Sequence, residues 1–572
     1  MTLSFGNLDS ARAVLRDTFG FPDFRPPQIR AIQSVLSGAD ALVVLPTGGG
    51  KSLCYQIPAL LRGGLTVVVS PLLSLMKDQV EALERRGVAA AFINSTLTSS
   101  DVASRMERAR NGTLTLLYLA PERMEFGPIL PRLVDIGVSL LAVDEAHCIS
   151  EWGHDFRPSY RRIGTIRERL GRPQTVALTA TATPRVREDI IEQLALRDAR
   201  IVVGGFDRAN LTYHVEPTRT RQAKDKAAIR WLREAQGPAI VYAPTRKAVE
   251  RVTTLLVRAR VKAVAYHAGL PNAQRQNVQN AFMSERARVI VATSAFGMGI
   301  DKADVRLVVH HAMPGSLESY YQEAGRAGRD GLRSTCVLLH SYADRFTHEF
   351  FVGNANPERG LIERTWRLLR SSADADGFVG QSVDQLAERL AAGTGVRKVG
   401  AAIRALASSG AVAIEPPAAR RVWVRLLATP SRIARELGGA RESDRELLRA
   451  LWRAVGKQLE SGASIDLDGL PPGIGRAGRV VPILMRLESE QFVTWTRTSG
   501  GFRLDARRAD ATWLPVDWTS LERRQQNDMA RLDAVQRYAQ TRACRRAFVL
   551  RYFGDPDARP RCDSCDRCLG TP

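Results

Sequence analysis

The strongest constraint on this chain is a serial pattern. Short, almost unbroken runs of Val, Leu, Ile and Ala are each followed by a longer helical stretch. A first series comprises ALVVLP (41–46), LTVVVSP (65–71), LTLLYLAP (114–121), VSLLAVDE (138–145) and TVALTATA (175–182). A second comprises AIVYAPT (239–245), VKAVAYHAG (261–269), RVIVATSA (288–295), VRLVVHHAMP (305–314) and STCVLLH (334–340). Runs that do not alternate apolar with polar residues belong to strands buried on both faces, as in a parallel sheet sandwiched between helices. Two series imply two doubly wound α/β domains, 1–204 and 205–345.

Beyond residue 345 amphipathic helices take over. Residues 346–430 read as three helices followed by a hairpin, AVAIEPPAARRVWVRLLA, the outline of a winged helix. Arg420, Arg421 and Arg425 fall on that wing, with Trp423 as a packed wing residue. Residues 431–519 read as a second such unit or a helical connector. Residues 520–572 read as a helical pair closed by cysteines.

Composition narrows the function classes. Hydrophobic residues make up 44% and charged residues 25%, which excludes a disordered or collagen-like chain. No apolar run approaches the length of a membrane span, so no membrane partner is expected. The start, MTLSFGNLDSARAVLRD, lacks a basic stretch followed by an apolar one, so secretion is not expected and a cytoplasmic, nucleoid-associated location is. The net charge of +22 is spread along the chain rather than gathered in a tail. Such an excess favours a polyanionic partner, most simply nucleic acid.

Three motifs carry chemistry. In ALVVLPTGGGKS a buried strand runs through a glycine loop into a helix, and such a loop offers backbone N–H groups to phosphate oxygens. Thr47, Gly48, Gly49, Gly50, Lys51 and Ser52 form the loop, Lys51 reaching the β/γ-phosphates and Ser52 ligating Mg²⁺. The strict pattern has glycine where this chain has Leu45. In LLAVDEAH an apolar strand ends in adjacent acids. Asp144 is expected in the Mg²⁺ shell and Glu145 as the base that orients and deprotonates water. His147 is expected to couple the nucleotide site to the next motif. The third motif is the spacing C-x₁₇-C-x₂-C-x₂-C of Cys544, Cys562, Cys565 and Cys568. Four thiolates suit a closed, structural, tetrahedral Zn²⁺ site, with an iron–sulfur cluster as the alternative.

These residues, with several ordered segments around them, closely resemble the RecQ helicases of superfamily 2. The resemblance runs over FGFPDFRPPQ (19–28), PTGGGKS, VVVSPLLSLMKDQV (67–80), DEAH with CISEWGHDFRPSY (148–160), ALTATATP (177–184), VYAPTRKAVE (241–250), AYHAGL (265–270), VATSAFGMGIDKADVR (291–306) and SYYQEAGRAGRDG (319–331). It implies two RecA-like lobes with ATP between them. Gln28 is then the adenine contact with Arg25 beside it. Arg329 is the arginine finger and Arg326 its partner, three residues apart on what reads as one helical face. Trp152, His154, Phe156 and Arg157 form an aromatic-rich loop that meets the strand. The implied activity is ATP-driven 3′ to 5′ movement on single-stranded DNA and unwinding of forked or branched DNA in repair and recombination. An RNA-dependent ATPase of DEAH type and an ATP-switched scaffold remain open at this point. CRRAFVLRYFGD with CDSCDRC resembles the RecQ zinc subdomain, but here about 175 residues separate it from the second lobe (a separation on the scale of a whole domain). Either the intervening part is inserted, or the branch is divergent.

Overall fold

Near-continuous burial on both faces builds two parallel sheets. The computed structural model describes residues 7–71, 73–94, 96–125, 128–153, 155–297, 302–374, 377–390, 394–415, 421–437, 441–471, 474, 477–497, 500–505 and 514–570. Among these, the first sheet contains β1 (Ala41–Val44), β2 (Leu65–Val69), β3 (Ala90–Ile93), β4 (Leu116–Leu119), β5 (Val138–Val143), β6 (Gln174–Thr179) and β7 (Arg200–Val203). Its order is β3-β4-β2-β5-β6-β1-β7, all parallel. The second contains β8 (Leu211–Pro217), β9 (Ala239–Tyr242), β10 (Ala263–Tyr266), β11 (Val289–Ala292), β12 (Leu307–His310) and β13 (Ser334–His340). Its order is β10-β11-β9-β12-β13-β8, again all parallel.

Three strands were not expected: β3, β7 and β8. All three are edge strands. β10 is an edge strand too and was expected, so edge position alone does not separate them. In β8, LTYHVEP, buried and half-buried residues alternate along most of the strand.

The chain divides into two units, Met1–His348 with Asn527–Pro572, and Glu349–Gln526. The C-terminal segment thus packs with the lobes, and the intervening region is inserted. The helix Trp518–Gln540 passes from the second unit into the first. Within the first unit, Phe553 stacks on Phe206 at 5.1 Å and the Tyr538 hydroxyl donates to Tyr320 Oη (2.9 Å). Arg545, fully buried, pairs with Asp566 (3.0 Å), and Asp566 also accepts the Val215 N–H of β8 (3.1 Å). One ion pair therefore ties the cysteine segment to the second sheet.

The second unit contains β14 (Phe378–Val379), β15 (Val412–Glu415), β16 (Arg421–Leu426), β17 (Ala463–Asp466), β18 (Val493–Arg497) and β19 (Gly501–Leu504). They form two three-stranded antiparallel sheets, β14-β19-β15 and β17-β16-β18. The first packs with the helices Arg359–Ser372, Val383–Arg389 and Val396–Ser408, around Trp366, Leu386, Ile403, Val412 and Phe502. The second packs with the helices Glu442–Val455 and Ala477–Ser489, around Val424, Leu451, Ile465, Leu484 and Val493. Each is a winged-helix-like module, and the two interleave along the chain.

The expected hairpin over 411–428 is corrected by this pairing. β15 pairs with β19, and β16 pairs with β17 and β18. Two adjacent apolar strands do not choose each other by proximity; each joins the core its own alternation completes. Val422 and Val424 face the second core, whereas Val412 faces the first. Trp423 is buried, with its ring against Gly462. Arg420 lies outside the described residues.

The buried Arg545–Asp566 pair generates a stability prediction. Replacing one member strands the other charge in the interior, at a cost of about 3–5 kcal/mol. Arg545→Met is therefore expected to lower the calorimetric transition that contains the lobes, while an exposed control, Arg219→Met, leaves it unchanged. Equal transitions for the two variants contradict the assigned role of the pair.

Candidate active site and zinc cluster

The carboxyl ends of both sheets open into one cleft of about 1280 Å³. In open α/β sheets this is where ligands lie. The first lobe contributes the loop after β1, the loop after β5 and the start of the helix Pro26–Leu36; the second contributes the turns after the helix Leu317–Ala324. Arg25, Gln28, Thr47, Gly48, Gly49, Gly50, Lys51, Ser52, Asp144, Glu145, Arg326 and Arg329 all line it. His147 and Arg157 line it as well.

The loop 45–52 is held from within. Gly48 and Gly50 have φ of 77° and 71°, a left-handed backbone that glycine adopts without penalty. A Cβ at Gly50 would also run into Gln28 Nε2. The Gln28 amide donates to Gly49 O (3.2 Å) and Gly50 O (3.1 Å), while Arg25 Nη1 donates to Gly48 O (2.7 Å). Lys51 Nζ turns back on Leu45 O (3.3 Å) and Pro46 O (3.5 Å). Gln28 and Arg25 thus grip the phosphate loop in this conformation.

After β5 the backbone is tense. Glu145 adopts φ 48°, ψ 45°, a left-handed conformation that costs a non-glycine residue about 1–2 kcal/mol. Its N–H is turned onto Asp144 Oδ1 (3.0 Å), and the Tyr160 hydroxyl donates to Asp144 O (3.1 Å). Burial, together with the Glu145 carboxylate, pushes the Asp144 carboxyl up to about 7, against the pull of Lys51. Two neighbouring carboxylates make an oxygen donor set that suits a divalent cation.

His147 Nδ1 shares a hydrogen bond with Thr179 Oγ1 (2.9 Å) at the end of β6 and lies 3.3 Å from Glu145 Oε2. Burial opposes charge on this imidazole, but Cys148 and Glu145 outweigh it and its pKa rises to about 10. The strand-end acids are thereby linked to the ALTATATP segment.

In the aromatic-rich loop, Trp152 is half-buried with the Arg185 guanidinium 2.9 Å from its ring centre. Phe156 is half-buried. Arg157 donates to Pro71 O (3.0 Å) and to Asp155 Oδ2 (3.1 Å). His154 lies outside the described residues.

One expectation about the arginines is corrected. The helix ends at Ala324, and Arg326 and Arg329 sit in the turns beyond it rather than on a helical face. Gly325 caps the helix and Gly328 takes φ 55°, so the chain reverses between the two arginines. Arg326 is buried and donates to Gly297 O, where a Cβ on Gly297 would collide with it.

Sequence reasoning overlooked the residues that hold these turns. Arg208 donates to Gly325 O (3.2 Å), Ala327 O (2.9 Å) and Gly328 O (2.8 Å), and Asn210 Nδ2 donates to Gly328 O (2.8 Å). Gln322 Nε2 crosses the cleft to Thr181 Oγ1 (3.3 Å). An arginine in an irregular connector has no periodic signature, so nothing local marked Arg208.

The sulfur atoms of Cys544, Cys562, Cys565 and Cys568 lie within 4.8 Å of one another, Cys544 and Cys565 being 3.9 Å apart. Tetrahedral Zn–S bonds of about 2.3 Å require sulfurs about 3.8 Å apart. The four cysteines form a zinc-binding cluster.

Family models match in the same places: "DEAD/DEAH box helicase" over 25–190, "Helicase conserved C-terminal domain" over 223–331 and "RecQ zinc-binding" over 507–569. The "Probable ATP-dependent DNA helicase RecS" of Bacillus subtilis is 43% identical over 360 residues, 63% of this chain and 72% of that protein. The chain belongs to the RecQ helicase family. The "ATP-dependent DNA helicase RecQ" of Bacillus subtilis is 46% identical over 354 residues, 61% of this chain and 59% of that protein. Its counterpart from Pasteurella multocida is 45% identical over 337 residues, 59% and 53%. The match thus spans little more than half the length of these RecQ relatives. Among solved structures, the DUF1998 helicase MrfA bound to DNA gives a TM-score of 0.49 at 20% identity, over 60% of this chain and 53% of that one. That likeness is too loose to carry an argument. The family matches support ATP binding and zinc binding by the four-cysteine motif. Among the described residues no helix is long and apolar enough to cross a membrane.

A zinc assay checks the cluster. About one zinc per chain is expected, as four thiolates define one closed tetrahedral site. Cys565→Ser is expected to lose the metal and most of the soluble yield. Full zinc retention in that variant contradicts the assignment.

Proposed function

We propose that this chain is an ATP-dependent DNA helicase that hydrolyses ATP between its lobes, moves 3′ to 5′ on single-stranded DNA and unwinds duplex or branched DNA. The observation that carries the reading is the single cleft shared by Lys51, Asp144 and Glu145 from one lobe and Arg326 and Arg329 from the other. Phosphoryl transfer needs positioning and charge stabilisation more than covalent chemistry from the protein.

In this reading the backbone N–H groups of 48–52 bind the phosphates, and Lys51 releases Leu45 O and Pro46 O to meet the β/γ-phosphates. Gln28 and Arg25 exchange part of their grip on the loop for the adenine. Ser52 and Asp144 would hold Mg²⁺, which supplies positive charge to the phosphate oxygens when bound. Glu145 takes a proton from water as the water oxygen bonds to the γ-phosphorus. The bond to the β–γ bridging oxygen breaks, leaving ADP and phosphate. Arg329, with Arg326, stabilises charge developing on the transferred group, an effect of about 10³–10⁵ in rate. Loss of the γ-phosphate removes what the arginines hold, and the lobes part.

Movement follows if each lobe grips the strand backbone and the grips alternate. Trp152 and Phe156 offer base stacking, at about 1–3 kcal/mol per base, and Arg157 offers a phosphate contact. His147, bonded to Thr179 beside Glu145, carries loop position to the site of hydrolysis. The family resemblance supports both the polarity and the preference for DNA.

Strand displacement on partial duplexes tests activity and direction together. A substrate with a 3′ overhang is expected to be unwound with ATP, and one with a 5′ overhang left intact. Lys51→Ala and Glu145→Gln are each expected to abolish unwinding in folded protein. Unwinding retained in either variant, or turnover stimulated by RNA rather than DNA, contradicts the reading.

A further inference from the structure

The 152–153 corner of the aromatic-rich loop is held by a residue far away in sequence. Arg531 lies on the helix Trp518–Gln540, in the part that packs with the lobes. Its Nη1 donates to Gly153 O (2.8 Å) and Trp152 O (3.0 Å), and its Nη2 pairs with Asp528. Its side chain is 13% exposed, so these bonds are formed largely out of water. A charged donor shared by two backbone carbonyls is among the stronger hydrogen-bonding arrangements a protein makes.

The corner it holds is mechanically connected to the hydrolytic residues. Gly153 sits directly on the His147 carbonyl, where any Cβ would collide. The Gly153 N–H donates to Ser150 O (3.0 Å), and the Trp152 N–H to Ser150 Oγ (3.1 Å). His147 in turn contacts Glu145 and Thr179. A shift of the corner at 152–153 is therefore felt at His147 without passing through any mobile side chain. The same helix is anchored to the second lobe by Tyr538 on Tyr320 and by Arg345 on Asp533 (2.6 Å). Through one helix, the position of the second lobe bears on a loop of the first.

We propose that Arg531 is a positioning residue that pre-organises the 152–153 corner of the aromatic-rich loop, so that single-stranded DNA meets Trp152 already in place. This rests on the helicase reading and assigns its coupling loop a support from the zinc-bearing segment. Pre-organisation removes an ordering cost that binding would otherwise carry. Without it the strand must order the loop itself, so more DNA is needed for the same stimulation. Turnover at saturating DNA depends on the intact nucleotide cleft and is retained.

The test is ATP turnover titrated with a poly-dT oligonucleotide, using the full chain and the variants Arg531→Met and Arg531→Lys, with zinc content measured on each. Arg531→Met is expected to raise the half-saturating DNA concentration roughly tenfold, in line with the loss of a charge-assisted bond. Its maximal and DNA-free turnover are expected to stay within about twofold of wild type, with zinc retained, because the variant spares the cleft. Arg531→Lys, which keeps the charge but not the fork, is expected between the two. Unchanged half-saturation in Arg531→Met, in a wild-type chain that DNA does stimulate, overturns the role of Arg531 alone. A rise in DNA-free turnover overturns it too, since the contact would then be a brake. Equal loss of turnover and zinc in both variants makes Arg531 merely structural. A wild-type chain indifferent to DNA overturns the helicase reading itself.

Discussion

Two parallel sheets meeting at the carboxyl ends of their strands is the constraint on which the larger unit depends. A parallel sheet places all the loops that follow its strands at one end. Here two such edges face a common cleft. The consequences are electrostatic. Asp144 is half-buried beside Glu145 and its carboxyl is pushed up to about 7, while the opposite wall carries Arg326 and Arg329. The first wall sets Asp144 and Glu145 beside Lys51, Arg25 and Arg157, and the second sets Arg326 and Arg329 beside Glu323. The strained backbone at Glu145 belongs to the same design, since strain persists only where the surroundings over-determine it.

The arginine wall is as carefully supported as the phosphate loop. Arg208 gathers three carbonyls of the turn 325–328, and Asn210 a fourth contact. Both residues lie just before β8, in the connection between the sheets. The chain therefore uses its inter-lobe connector to shape the turn that lines the cleft. The C-terminal segment extends this logic. Arg187 donates to Phe553 O, Tyr552 donates to Glu318 (2.8 Å), and Asp566 meets β8. The cysteine-bearing segment thus touches both lobes, even though the inserted unit separates it from them in sequence.

The interior strands of both sheets were legible as apolar runs. Of the edge strands only β10 was; β7 and β8 carry polar residues, and β3 was missed although its AAFI is apolar. The phosphate loop, the strand-end acids and the cysteines were legible because each needs particular residue types at fixed spacing. The turn carrying Arg326 and Arg329 was legible as a motif but not as a shape, because a three-residue spacing looks helical until Gly325 and Gly328 are placed. The hairpin over 411–428 failed for a related reason: strand partners are decided by which core a face completes, and β19 lies far downstream. Arg208, Gln322 and Arg531 act on backbone or hydroxyl groups distant in sequence, and no local pattern encodes such contacts.

The central claim is that residues of the second lobe act on phosphoryl groups bound by the first. It is tested most directly by measuring ATP affinity and single-turnover hydrolysis in Arg329→Ala with saturating single-stranded DNA. The account predicts that hydrolysis falls about a thousandfold or more while ATP affinity changes only a few-fold. Hydrolysis at the wild-type rate in that variant would contradict it.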